Sequence, residues 1–119
     1  MPSTVFISNM SKEHDYTSAA KYGAIRPVTS GNYPIFKTAR LLEEITAALL
    51  YSEETDYLLL SGSSVVAGYC IAVWLMLHKK CNLLLHDRRQ GQYVPRLFDR
   101  VAVMTDIERA RDKLKQQET

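Results

Sequence analysis

A run of twenty-one residues without a charged side chain, from Tyr57 to Leu77, constrains the fold of this chain most strongly. The run is long enough to span a lipid bilayer as a single helix. However, Ser61-Gly62-Ser63-Ser64 interrupts it after four apolar residues, and serine and glycine together are typical of a tight turn. The sequence therefore predicts a buried strand at 57–60, a turn and a buried helix from Ser64 to about His78, and no membrane span.

The helix predicted from Ser64 to about His78 is apolar around nearly its whole circumference. A helix of this kind has to be covered on more than one side. Because a sheet covers only one side, and only four helices are predicted in 119 residues, we expect a second subunit to cover the other. The sequence therefore predicts a homodimer.

The residues before this run alternate between strand and helix patterns. Residues 4–8 are rich in β-branched and aromatic side chains and predict a first strand. Residues 15–22 predict a short helix closed by Gly23. Residues 24–29 predict a second strand, which Pro27 restricts to an edge or an end of the sheet because proline has no backbone N–H to donate.

Three further segments complete the pattern. Apolar residues at helical spacing between 41 and 49 predict a helix with Thr38 as its N-cap. Residues 82–86 predict another buried strand, and residues 92–98 alternate like its hairpin partner. The order of elements predicts an α/β fold, a three-layer Rossmann-like sandwich formed by one domain of residues 1–119. We expect its sheet to be mostly parallel, with the C-terminal hairpin as an antiparallel edge.

The C-terminal residues predict a last helix from local signals. Thr105 and Glu108 form a capping box, which predicts that this helix begins at Thr105. Apolar residues at helical spacing form a narrow stripe along it. We expect its basic face to be solvated; this face comprises Arg109, Arg111, Lys113 and Lys115.

The composition excludes several classes of protein. Apolar residues make up 46% and charged residues 24%, as in a globular domain, and the net charge of +2 is too small to indicate a nucleic-acid partner. The two cysteines, Cys70 and Cys81, lie in apolar runs and are too few for a disulfide scaffold or a metal site. The first residues lack the pattern of a signal peptide. We therefore expect a cytoplasmic protein with no metal and no resident cofactor.

Polar residues follow the predicted parallel strands at their carboxyl ends, where open parallel sheets bind ligands. Glycine permits close approach of the backbone, and serine hydroxyls together with helix amides can hold an anion. The sequence therefore predicts a site for a small anionic, nucleotide-like ligand. Its predicted residues are Ser8, Asn9, His14 and Asp15 after the first strand, and Ser61, Gly62, Ser63 and Ser64 after the third.

The same residues have a purely structural interpretation. Ser63 and Ser64 are typical helix caps after a strand, and Asp15 is equally suited to cap the short helix. His14 beside Asp15 could serve as a general base, but adjacent side chains point in different directions, so no catalytic residue is assigned. Whether a reaction is catalysed stays open. So does a second function, that of a non-enzymatic assembly protein acting through helix-mediated oligomerisation.

A resemblance to a group of proteins rests on five segments. These are Val5-Phe6-Ile7-Ser8-Asn9, His14-Asp15-Tyr16, Ala20 with Gly23, Val28-Thr29-Ser30-Gly31, and Asp56-Tyr57-Leu58-Leu59-Leu60-Ser61-Gly62. In these segments the chain resembles short, uncharacterised Rossmann-like α/β proteins of phage and prokaryotic genomes. The resemblance covers roughly residues 4–97. It implies a fold and no known activity.

Overall fold

Strands and helices alternate along the chain in the predicted order. The structure, a computed structural model, describes residues 2–118, so the first and last residues of the predicted domain lie outside the described part. The elements are β1 (Thr4–Met10), a 3₁₀ helix (Thr17–Tyr22), β2 (Ala24–Ser30), α1 (Thr38–Leu49), β3 (Tyr57–Leu59), α2 (Ser64–Leu77), β4 (Lys80–Asp87), β5 (Gln92–Asp99) and α3 (Arg100–Glu118).

The five strands form one sheet in the order β2-β1-β3-β4-β5. The pairs β1–β2, β1–β3 and β3–β4 are parallel, and β4 and β5 form an antiparallel hairpin at the edge. This confirms the predicted mixed α/β fold with a mostly parallel sheet and an antiparallel C-terminal edge. Pro27 lies in the edge strand β2, opposite Ile7. That position is compatible with its missing N–H.

The sheet face covered by α1 and α2 holds the larger core. Phe6 and Trp74 meet edge to face with ring centroids 5.9 Å apart, and the indole N–H of Trp74 donates to the carbonyl of Lys80 at 3.0 Å. The other buried members of this core are Val28, Leu41, Ile45, Leu49, Leu58, Val66, Cys70 and Cys81. The helical spacing of Leu41, Ile45 and Leu49 is therefore the buried stripe of α1, as predicted.

The opposite sheet face carries a smaller core and a thinner cover. Its buried residues are Val5, Ile7, Tyr16, Ala19, Leu59, Leu84 and Tyr93. The helix that packs on this face is the six-residue 3₁₀ helix, which contributes Ala19 to the core. It is slightly shorter than the helix predicted at 15–22. The mixed α/β architecture is therefore established, whereas the three-layer Rossmann-like sandwich remains a prediction.

Two predicted helix caps are wrong. Lys37, not Thr38, occupies the N-cap of α1 and makes no side-chain cap bond. Helix α3 begins at Arg100, where β5 runs directly into it and the carboxylate of Asp99 accepts from the backbone N–H of Val101 at 2.9 Å. Thr105 consequently lies inside the helix, and its hydroxyl donates to the carbonyl of Val101 instead of capping.

Helix α2 has the predicted bounds to within one residue and an uncharged outer surface. Val65, Gly68, Ala72 and Met76 follow one another along its exposed side, and Met76 is 86% exposed. Among residues 2–118, every helix is too short or too polar to cross a membrane.

The buried carboxylate of Asp56 joins the starts of β1 and β3. It is 6% exposed and accepts one hydrogen bond from the backbone N–H of Thr4 and one from that of Glu53, both at 2.8 Å. We expect Asp56→Asn to lower the free energy of unfolding by about 1–3 kcal/mol, because an amide would turn a donor toward one of these N–H groups. Urea unfolding measures the change. Asp112→Asn, on exposed α3, is the control, and equal stabilities of the two variants would contradict the role of Asp56.

The two cysteines are buried on the α1/α2 side of the sheet. Burial raises the pKa of the Cys70 and Cys81 thiols to about 12. At pH 8 both are therefore protonated and shielded, and we expect a maleimide to label the folded protein at least about tenfold more slowly than the urea-unfolded protein. Labelling of the folded protein at the rate of free cysteine would contradict this burial.

Candidate ligand-binding cleft

The carboxyl ends of β1 and β3 are joined by a reciprocal pair of hydrogen bonds. The hydroxyl of Ser8 donates to the carbonyl of Ser61 and accepts from the N–H of Ser61, each at 2.8 Å. Ser8 has no exposed surface. These bonds continue the contact between the two strands beyond the last ladder pair, Ile7 with Leu59, and they fix where the chain leaves β3 toward α2.

Tyr16 holds the same turn from the side of the 3₁₀ helix. Its hydroxyl lies 2.8 Å from the hydroxyl of Ser61 and accepts from the backbone N–H of Ser11 at 3.0 Å. Because the phenol oxygen accepts from Ser11, its own proton is available for Ser61. The loop after β1 and the turn after β3 are therefore tied together by one tyrosine.

Asn9 fastens the end of β2 to the same point. Its amide nitrogen donates to the carbonyl of Gly31 at 3.1 Å, and its amide oxygen accepts from the hydroxyl of Thr29 at 2.8 Å. The same Thr29 hydroxyl lies 2.8 Å from the carbonyl oxygen of Ser8. Asn9 is 8% exposed, so these bonds form in a largely dry environment where an unpaired amide is costly.

Gly62 is required by this arrangement. It has a φ of +78°, and a Cβ at this position would lie 2.7 Å from the amide nitrogen of Asn9 and 2.9 Å from its Cβ. The absence of a side chain therefore lets the turn rest directly on Asn9. The turn then delivers Ser63 to the N-cap of α2, where its hydroxyl accepts from the N–H of Val65 at 3.2 Å.

A cleft of about 940 Å³ opens above this junction, and we call it the β1–β3 cleft. Its wall combines the loop after β1, the end of β2 and the turn that leads into α2. The residues that line it are Asn9, Met10, Ser11, Lys12, Glu13, His14, Pro27, Ser30, Gly31, Asn32, Tyr33, Gly62 and Ser63.

A second cleft of about 390 Å³ lies on the hairpin side, and we call it the His86 cleft. Its lining residues are His14, Asp15, Leu59, Leu60, Ser61, Gly62, His86 and Tyr93. His14 and Gly62 border both clefts. The rings of His86 and Tyr93 stand opposite each other in the hairpin register, with centroids 5.0 Å apart.

Six of the eight predicted site residues line a cleft. Asn9, Gly62 and Ser63 line the β1–β3 cleft, Asp15, Ser61 and Gly62 line the His86 cleft, and His14 lines both. Ser8 is fully buried and lines neither cleft, and its hydroxyl holds the backbone of Ser61 in position. Ser64 begins α2 outside both linings.

Asp15 is held by its own loop. The hydroxyl and the backbone N–H of Thr17 both donate to its carboxylate, and these bonds lower its pKa. The N-cap of the 3₁₀ helix is Tyr16, and Asp15 instead closes a local turn onto Thr17 as an anion while it borders the His86 cleft. It does not share a cleft with Asn9. Across the cleft, burial and the nearby Tyr16 and Asp15 raise the pKa of Tyr93.

The sequence prediction missed several lining residues, including Met10, Pro27 and Tyr33 of the β1–β3 cleft and the pair His86 and Tyr93 of the His86 cleft. The prediction placed the hairpin turn correctly but did not derive which residues of the two strands pair with each other. Pairing Asp87 with Gln92 places His86 opposite Tyr93. Within residues 2–118, no group of three or more His, Cys, Asp or Glu residues is placed to hold a metal ion.

Comparison with known proteins identifies the family. The family model described as Phage Pam3 gp32-like protein matches residues 3–100. The chain belongs to this family. Neither the curated proteins nor the solved structures contain a match. The family is one of phage proteins of uncharacterised function, which agrees with the resemblance to phage proteins.

The matched segment includes the whole sheet and both clefts. It ends at residue 100, where α3 begins. The lining residues of the two clefts thus all lie within the part of the chain that belongs to the family, and α3 extends beyond it.

The contact between Gly62 and Asn9 can be tested by a pair of alanine variants. Gly62 and Gly31 both have positive φ, but a Cβ at Gly31 would meet nothing within 4 Å. Both variants strain the backbone, and we expect Gly62→Ala to be more destabilising than Gly31→Ala by about 1–2 kcal/mol, because only the former displaces Asn9. Thermal or urea unfolding measures the difference. Equal destabilisation would contradict a tight contact at Gly62.

Proposed function

We propose that this protein binds a small anionic, nucleotide-like ligand in the β1–β3 cleft. The observation that carries the proposal is the position of Gly62, which rests on Asn9 and brings the amino end of α2 to the wall of the cleft. The first amides of an α-helix lack partners within the helix and carry a partial positive charge. They suit a phosphate or carboxylate group.

The strand order supports this location. The chain runs outward from β1 to β2 on one side and from β3 to β4 on the other, so the order reverses between β1 and β3. Open parallel sheets bind ligands at such a reversal, outside the carboxyl ends of the strands. The Rossmann-like interpretation of the fold is part of this proposal. This interpretation rests on the strand order and on the packing of α1 and α2 against one face of the sheet.

The size and lining of the cleft favour a nucleotide over a bare anion. A cleft of about 940 Å³ is at the upper end of the usual range for small-molecule sites. Tyr33 and Pro27, together with Met10 at the end of β1, line the cleft and offer apolar surface to a planar base. Ser63 and the helix start lie on the α2 side, where a phosphate would be bound.

The charges of the cleft define which contact attracts the anion. Lys12 and Glu13 both line it and offset each other formally, so the lining has no large net charge. Binding of an anion would therefore depend on a local contact with Lys12 and on the backbone amides at the start of α2. His14, which borders both clefts, is a further side chain that can donate to a phosphate, as are the serine hydroxyls of the lining.

A second candidate function is non-enzymatic assembly. It is favoured by the uncharged exposed side of α2, where Gly68 and Ala72 would let another helix approach closely. An exposed apolar surface of this kind is typical of an interaction site. In this function the junction of Ser8, Asn9 and Ser61 serves stability alone.

A thermal-shift screen tests the ligand proposal. The probes are inorganic phosphate, the common nucleoside 5′-monophosphates and the corresponding nucleosides, at fixed protein concentration. We expect at least one nucleotide to raise the Tm of the wild-type protein, because a ligand that binds only the folded state stabilises it. We expect phosphate alone to raise it less and the nucleosides least.

Variants assign the response to the cleft. Lys12→Ala should reduce the nucleotide-dependent shift and leave the Tm without ligand nearly unchanged, because Lys12 is exposed. Lys79→Ala is the matched control, since this exposed lysine lies next to the amino end of β4, at the opposite end of the sheet. If no probe raises the Tm, or if both lysine variants respond like the wild type, the β1–β3 cleft does not bind these anions. A Tm that rises instead with protein concentration supports assembly.

A further inference from the structure

Helix α3 extends away from the rest of the molecule. It has 19 residues, none of which is buried. Its first residue fastens it, with the backbone N–H of Arg100 donating to the carbonyl of Lys79 at 3.0 Å and its guanidinium to the carbonyl of Leu75 at 2.8 Å. The radius of gyration is 16.3 Å. A compact domain of this length would have about 13.5 Å.

An apolar seam follows this exposed helix. Val103, Ile107, Ala110 and Leu114 are separated by four, three and four residues, which is the spacing of a coiled coil. Val103, Ile107 and Leu114 are 37%, 44% and 61% exposed. Because most of the stability of a helix in a protein comes from packing its apolar face, the exposed seam points to a partner.

We propose that α3 pairs with α3 of a second copy of this chain in an antiparallel coiled coil. In this pairing the layers of the seam combine large and small residues. Ile107 lies against Ala110 of the second copy, and Val103 lies against Leu114. The two-fold axis passes between residues 108 and 109, so each layer occurs twice.

Charge complementarity supports a second copy as the partner. Asp106 and Lys113 flank the seam on the same side, seven residues apart. Antiparallel pairing places Asp106 of each copy against Lys113 of the other. It also brings the first half of one helix (100–108) against the second half (109–118) of the other. The first half carries one net negative charge and the second half two net positive charges.

The antiparallel direction avoids a repulsion that the parallel direction would create. Arg100 continues the seam at its amino end, and Gln117 continues it at its carboxyl end. Parallel pairing would stack Arg100 on Arg100, whereas antiparallel pairing places it against Gln117. Antiparallel helix dipoles also attract each other.

Sedimentation velocity of the full chain over about 10–300 µM tests the proposal, a range suited to a weak two-heptad interface. We expect a concentration-dependent dimer. Ile107→Lys should abolish it, while Ala72→Lys on the outer side of α2 should leave it unchanged. Circular dichroism at each variant's working concentration confirms that the sheet domain stays folded.

Charge exchange determines the direction. Asp106→Lys and Lys113→Asp should each weaken the dimer by about tenfold, and the double variant should restore it. In a parallel pair Asp106 would face Arg111 and Lys113 would face Glu118, so the double variant would place like charges together and fail to restore the dimer. Asp112→Lys, which faces away from the seam, is the control and should dimerise like the wild type.

Three results would overturn the proposal. They are a monomer at every concentration, a dimer that survives Ile107→Lys, and a double variant that remains as weak as the single ones. A dimer lost through Ala72→Lys but not Ile107→Lys would assign the interface to α2. None of these results bears on ligand binding in the β1–β3 cleft, which lies outside α3.

Discussion

The two hydrogen bonds between Ser8 and Ser61 are the constraint on which the candidate site depends. They extend the contact of β1 and β3 past the end of β3, and so fix the position of the turn that follows β3. With the turn fixed, Gly62 must pass directly over Asn9, which in turn is bonded to Thr29 and Gly31. Three strand ends and one helix start are thereby held by buried polar groups, which are costly to leave unpaired. A preformed cleft is the consequence.

The two faces of the sheet explain how a short chain can form such a cleft. On one face α1 and α2 supply a closely packed core around Phe6 and Trp74. On the other, a six-residue 3₁₀ helix supplies the helical cover, with Tyr16 and Tyr93 completing the core. The loop that leads into this small helix therefore stays near the strand ends. It contributes Lys12 and His14 to the lining instead of being drawn over the sheet.

The sequence predicted those parts of the structure that depend on local pattern. Ser61-Gly62-Ser63-Ser64 within an uncharged run was sufficient to predict β3, the turn and α2. Pro27 limited β2 to an edge or an end, and β2 is an edge strand. The missed features depend on tertiary context. The start of α3 is set by the end of β5 and by Asp99, which no capping box reveals. The use of Ser8 as an internal bond to Ser61 is also invisible in sequence, because a serine after a strand is equally compatible with ligand contact. His86 and Tyr93 become neighbours only through the hairpin register.

Binding of a ligand where β1, β2 and the turn before α2 meet can be tested residue by residue by ¹H–¹⁵N NMR during a nucleotide titration. The nucleotide used is the one that gives the largest thermal shift, or adenosine 5′-monophosphate if none does. We expect saturable chemical-shift changes confined to the amides of residues 9–14, 30–33 and 62–65, with the amides of α3 unchanged. An absence of shifts at millimolar nucleotide, or shifts confined to the basic residues of α3, would contradict this prediction.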